Sequence, residues 1–354
     1  MEDLAAAQNL KSKPGKNDVS YKSWGDYSNA NQVYYGYVLF FILGLTNAMS
    51  FSAIRDAIVF FTVNFGPRVF PAVVAAHQVP AVFAFILQSV LDNDIDRVVG
   101  IKLSNAFRMT ICYVAQVGTL IALPFANDVP MLLVIIGING LFSGIGYGTI
   151  ATLAVVFPGV ALPIAVIGNA ASAVVALIIY LSVELFDDQS KSRSKIYYWI
   201  SAGITSLGLV TYVILMFSEI AEFSIQKKKQ LGKIGGHRQK VKEDKKSYVA
   251  LFYIILVPVS IMFMSTFHVS NTMGLFSMVV SSYDFAQYSF LLLQIFLFTE
   301  FIGRQLFLVG DIFNSNKFIF LAFVIFRLAF LPVLYAYVWM KWAQDIVLGI
   351  AMGI

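Results

Sequence analysis

Glu300 and Arg304 lie four residues apart in "FTEFIGRQLF", residues 298–307, directly after the apolar run "FLLLQIFLF". At that spacing two side chains share one helix face, and acid before base is the order that pairs best. An ionisable group inside a membrane span costs roughly 2.5–3.5 kcal/mol on insertion scales, so such a pair needs a cavity or a partner. Two readings stay open. The pair lines a polar pathway and hydrogen-bonds a polar solute, or it is an interfacial ion pair with Arg304 snorkelling to the aqueous edge. Arg327 stands in the middle of "KFIFLAFVIFRLAFLPVLYAYV", five residues before Pro332. It needs an acid or a wet cavity, and Glu300 on the preceding helix is a candidate partner. A direct solute contact is the alternative.

Other polar residues interrupt apolar runs nearer the start. "GLTNAMSFSAIRDAIVFF" ends a first span with Arg55 and Asp56, expected as an exposed pair at the span's mouth. Asn47, Ser50, Phe51 and Ser52 precede them. An aromatic ring with small hydroxyls and amides suits a ligand that has both a ring and hydroxyls; packed membrane helices use the same residues. His77 in "AAHQVPAVF" is expected to make an interhelical hydrogen bond, with a proton relay as the alternative. Asn139 and Asn169 sit among small residues and are expected to join helices. Pro80, Pro163, Pro258 and Pro332 each free a carbonyl that must find another partner.

No HExxH, GxSxG, CxxC or GxxxxGK[ST] pattern is present, which argues against an enzyme and against ATP-driven pumping. Three histidines and one cysteine give no basis for a metal site, and Cys112 alone can form no intramolecular disulfide. No cofactor, nucleic acid or ATP is expected as a partner.

The elements that position these residues follow from composition. The 354 residues are 58% hydrophobic and 13% charged, with mean hydropathy +0.76. Soluble domains carry roughly 25% charged residues. The deficit defines an all-α polytopic membrane protein with the lipid bilayer as its surroundings. A span needs about 20 apolar residues, and nine runs qualify: roughly 33–54, 70–91, 106–126, 129–156, 159–186, 196–222, 248–269, 283–307 and 317–340. A tenth begins at "WAQDIVLGIAMGI". The expected organisation is a cytosolic tail over 1–32, a six-helix bundle over 33–222, a basic cytosolic loop over 223–247 and an incomplete second bundle over 248–354. The stretch 226–247 holds nine Lys and Arg. With the N-terminus in the cytosol, eighteen of the 25 basic residues fall inside and six outside, as the positive-inside rule prefers.

The order "FTEFIGRQLF", a lysine, then "FRLAFLPVLYAYV" resembles the equilibrative nucleoside transporter family. That family carries an acid and Gly-Arg near the end of its eighth helix and an Arg-Leu-x-Phe-x-Pro run in its ninth. Here these fall on Glu300, Gly303 and Arg304, then Arg327, Leu328, Phe330 and Pro332, with Glu300 in place of the usual aspartate. "YGTIATLAVVFPGVALPIAVIGNAASA" resembles the family's fourth and fifth helices through Gly148-Thr149, Pro158 and Gly168-Asn169-Ala170. Tyr147 stands where glutamine is usual. Phe51 and Ser52 replace a Trp-Asn pair in the first helix, and Arg55 falls where apolar residues are usual. The resemblance runs from about 33 to 345, and the chain would then lack the family's last one to two helices.

The resemblance implies a major-facilitator-like bundle of six plus three to five helices and agrees with a cytosolic N-terminus and 226–247 loop; lysine-rich inside loops fit the plasma membrane, and also an internal one. The resemblance also implies facilitative transport of nucleosides or nucleobases by alternating access, as in purine salvage. Phe51, Ser52, Tyr147, Asn169, Glu300 and Arg304 would bind the substrate. Gly303, Arg327 and Pro332 would be structural or gating residues, and His77 and Glu300 are the candidates for proton coupling. The rival readings are a facilitator of another small polar solute and a truncated, non-transporting membrane protein.

Overall fold

The structure is a computed structural model that describes residues 30–66, 69–157, 160–183, 191–219, 221–222, 290–302 except 292, and 325. Every regular element among them is helical. They are α1 (Ala30–Asp56), α2 (Ile58–Phe65), α3 (Val69–Val99), α4 (Ile101–Ala122), α5 (Val129–Val156), α6 (Ala161–Ser182) and α7 (Lys191–Met216), then α8 (Leu293–Ile302). Six of the described helices are long and apolar enough to cross a membrane: α1 and α3 to α7. Helices satisfy their own backbone groups, which lipid cannot do.

The punctuation between them is local chemistry. Gly66 and Gly100 adopt φ of 92° and 90°, a left-handed conformation that a Cβ would strain. Gly100 alone separates α3 from α4, and Arg108 Nη2 bonds Asp96 Oδ1 at 3.3 Å across that turn. Pro124 ends α4 in a 3-10 turn, Leu123–Phe125. Asp128 caps α5 by accepting the Met131 N–H at 2.8 Å, with Pro130 in the first turn.

Packing pairs α1 with α6 and α3 with α5 along most of their lengths, while α4 lies against α5 and α7. Small residues permit this approach. On α5, Gly140, Gly144 and Gly148 recur every fourth residue. A Cβ at Gly140 would overlap the His77 carbonyl, and one at Gly144 the Ala81 carbonyl. Gly44 of α1 meets the Ala165 backbone in the same way, and Gly168 of α6 meets Phe41.

Two apolar layers result. The first joins the end of α1 and α2 to Phe70, Ile136, Tyr180, Tyr197 and Tyr198. Phe290, Leu293, Phe296 and Leu297 of the α8 region complete it. The second joins Leu39, Phe40 and Leu43 to Met109, Tyr113, Phe157, Tyr212 and Leu215. Thr46 and Asn47 of α1, Gln116 of α4, Asn139 and Ser143 of α5 and Ser172 of α6 are buried between the two.

The six expected spans before residue 223 correspond to these helices, with shifts at their ends. The span expected at 106–126 starts at Ile101 and the one expected at 196–222 starts at Lys191, because polar first turns extend a helix beyond its apolar run. Of the run expected at 283–307, residues 290–302 other than 292 are described and helical. The 226–247 loop, the runs at 248–269 and 317–340, and the beginning of the tenth lie outside the described residues.

Candidate solute site

The polar layer is built mainly by α1. Asn47, Ser50 or Phe51, and Arg55 follow at helical spacing, so one stripe of the helix is polar and faces its neighbours. Ser50 Oγ donates to Gln116 Oε1 at 3.0 Å. Gln116 Nε2 donates to Asn47 Oδ1 at 3.2 Å, and Asn47 Nδ2 to the Ser143 carbonyl at 3.4 Å. Three helices are thereby joined. Thr46 and the Tyr113 hydroxyl meet at 3.1 Å, and the Ser52 and Ser172 hydroxyls at 2.6 Å. Ser172 also donates to the Asn169 carbonyl at 2.6 Å. Between α3 and α5, the Gln88 amide and Thr149 hydroxyl pair at 2.9 Å.

A second cluster adjoins this network. The Phe51 and His77 rings stack at 3.9 Å between centroids, 17° from parallel. The Arg55 guanidinium lies 5.5 Å from the Phe51 centroid, a cation–π distance. It donates to Ser52 Oγ at 3.5 Å and stands 4.0 Å from Asp56 Oδ1. Asn139 donates through Nδ2 to Thr119 Oγ1 at 2.7 Å, while its Oδ1 has no hydrogen-bond partner among the described residues. The same is true of both His77 ring nitrogens and both Asp56 carboxylate oxygens. Polar atoms buried without partners among the described residues are costly, and they mark where a further polar group would be favoured.

Arg55 and Asp56 correct the expectation of an exposed pair: they are 7% and 0% accessible. Charge at the end of an apolar run reads as an aqueous edge, but α2 continues apolar beyond it and Gln294 of α8 lies beside Asp56. His77 lies beside Asn139 of α5, although neither ring nitrogen closes a hydrogen bond of good geometry among the described residues, and its ring stacks on Phe51. Asn139 does join two helices, as expected.

The expected site residues fall in different places. Phe51, Ser52 and His77 belong to the cluster, and Asn169 touches it through its carbonyl. Tyr147, half-buried, lies 6.1 Å from the Phe85 ring and two turns, about 12 Å, along α5 from Asn139. Glu300 is half-buried on α8, six residues or about 9 Å along the axis from Gln294. Gly303, Arg304, Arg327 and Pro332 lie outside the described residues. Gln116, Thr46, Ser172, Gln88 and Gln294 were not singled out by sequence; their signal was a polar side chain at helical spacing inside an apolar run. Gly148, Thr149 and Gly168, which carry part of the family resemblance, serve helix packing here.

A buried polar layer between two apolar layers, in a bundle of membrane-length helices, defines an integral membrane protein of the polytopic all-α class. No protein-family model and no curated protein sequence matches the chain. Among solved structures it is similar to the crystal structure of a mutant of the nucleoside transporter NupG, at 14% identity and a TM-score of 0.50, over 90% of this chain and 79% of that one. At that identity the likeness defines the fold, a major-facilitator-like helical bundle.

Proposed function

We propose that the chain is a facilitative transporter of nucleosides or nucleobases that works by alternating access. The observation that carries this reading is the Phe51–His77 stack with Arg55 over the ring and Asn139 beside it. A nucleobase offers a flat face for stacking and an edge of donors and acceptors. The entering base displaces His77 from Phe51, and the released imidazole turns to the base edge together with Asn139. Ser52 follows Phe51 directly and reaches Asn169 of α6 through Ser172; Ser52 and Asn169 serve the sugar hydroxyls. Glu300 and Arg304, four residues apart in the sequence, would make a balanced pair suited to a neutral solute. The fold, shared with a solved nucleoside transporter, supports transport; the base preference is this reading's own.

Uptake of radiolabelled adenosine, inosine, uridine and hypoxanthine into vesicles holding the full chain tests it. Saturable uptake of at least one is expected. Aromatic–base stacking is worth about 1–3 kcal/mol, so Phe51→Ala should raise the half-saturating concentration roughly 5- to 150-fold. Glu300→Gln and Arg304→Ala should each lower uptake at unchanged membrane levels. Absence of saturable uptake of all four solutes by well-inserted protein would refute the proposal.

A further inference from the structure

The chemistry of the first apolar layer differs from that of an ordinary packed core. Its members come from α1, α2 and the adjoining ends of α3 to α7, all at the membrane face where α1 ends. Into it projects a helix from beyond residue 289. Leu293 and Phe296 are 0% accessible and Leu297 3%. Phe290 stacks on Tyr180 of α6 at 4.9 Å and 24°. Tyr180 in turn meets Tyr197 edge-on at 5.6 Å, and the Tyr197 hydroxyl donates to the Ala53 carbonyl at 3.1 Å. At that face a distant segment of chain therefore packs into the same apolar layer as the ends of the six spans. Among the described residues, the layer at the opposite face contains none from beyond residue 222.

One polar contact lies inside this plug. The Gln294 amide faces the Asp56 carboxylate. Gln294 Nε2 and both Asp56 oxygens are buried, and among the described residues none of them closes a hydrogen bond of good geometry. A permanent core contact would leave these groups either fully paired or replaced by apolar ones. Groups that face each other without settling into a bond suit an interface that must separate again. Asp56 also adjoins Arg55, whose guanidinium lies over Phe51, so the contact sits next to the proposed solute site.

We propose that the α8 segment is the gate for the membrane face at which α1 ends, with Tyr180–Phe290 as its apolar seal and Asp56–Gln294 as its polar latch. Opening that face withdraws Phe290, Leu293, Phe296 and Leu297 from the bundle and wets Asp56. The inference rests on the transport reading for its purpose, but its geometry can be tested without any substrate.

Cys112 is the chain's one cysteine and is buried, so Cys112→Ala gives a cysteine-free background. In it, Tyr180→Cys with Phe290→Cys supplies a cross-link across the seal, and Val73→Cys in α3 supplies a buried reporter thiol in the same layer. Maleimide labelling of the reporter in lipid nanodiscs needs no solute. Oxidation should slow labelling about tenfold or more and reduction should restore it. In vesicles the same cross-link should abolish uptake reversibly. An unchanged labelling rate after complete cross-linking, or full uptake by the cross-linked protein, would overturn the gate. Suppressed labelling in a protein that takes up no nucleoside would keep the gate and discard the nucleoside reading. Gln294→Leu provides an independent check should the double cysteine variant fold poorly. An apolar latch position should hold the face shut and slow reporter labelling several-fold, and faster or equal labelling would count against the latch.

Discussion

At the scale of the residue, Gln116 is the keystone of the polar layer. It is 0% accessible, and its amide accepts from Ser50 and donates to Asn47. Gln116→Leu keeps the volume but strands both partners. Interhelical hydrogen bonds in membrane proteins average about 0.6 kcal/mol and reach about 1.7. A buried acceptor left unpaired costs about 1–3 kcal/mol. Together these place the loss near 1–2 kcal/mol, or about 2–6 °C in the unfolding midpoint of the purified protein. Thr211→Val is the matched comparison, because among the described residues Thr211 bonds just the Leu207 carbonyl of its own helix, and it should shift the midpoint by less than about 1 °C. Equal effects from the two would mean that the network contributes no more than a local bond.

At the scale of the element, close helix approach decides which glycines are replaceable. A Cβ at Gly144 meets the Ala81 backbone, and a backbone cannot swing aside as a flexible side chain can. Gly144→Ala should therefore force α3 and α5 apart, at about 1–3 kcal/mol or more. Gly118 of α4 has nothing among the described residues within 4 Å of the same atom. Gly118→Ala should be neutral or gain up to about 1 kcal/mol, since alanine loses less backbone entropy in a helix. Thermal stability of the two variants, read by fluorescence-detected size exclusion, checks the contrast; a stable Gly144→Ala would show that the pair has room to part. The elements were legible in the sequence for the reason that sets them apart here. An apolar run and a small-residue stripe are both local signals, and Gly140, Gly144 and Gly148 lie in one such stripe. What each polar residue touches is not a local property. Arg55 and Asp56 looked exposed because they end an apolar run, and the Gln294 side chain beside Asp56 comes from more than 230 residues further along the chain. His77 looked like a hydrogen-bonding residue because imidazole has two polar atoms, and nothing in "AAHQVPAVF" announces the Phe51 ring that stacks on it.

At the scale of the whole molecule, six membrane-length helices lie between the polar N-terminal stretch and the basic stretch at 226–247. An even number of crossings returns the chain to the face it started from, whichever face that is. Tags placed near residues 10 and 235 should therefore react from the same side of the membrane, and a tag between α6 and α7 from the other. Charge then selects the side. Lysine and arginine near span ends are held back from translocation, and the nine basic residues of 226–247, with four lysines in the first 32 residues, outweigh Lys191, Arg193 and Lys195 at the start of α7. Both tags should face the cytosol, and an impermeant thiol reagent applied to intact cells should label neither until the membrane is opened. Labelling of only one tag in intact cells would break the six-crossing topology and with it the pairing of α1 with α6 and α3 with α5. Labelling of both would preserve the bundle and invert it, so that the face sealed by α8 opened to the cytosol and solute leaving through the proposed gate would enter the cell.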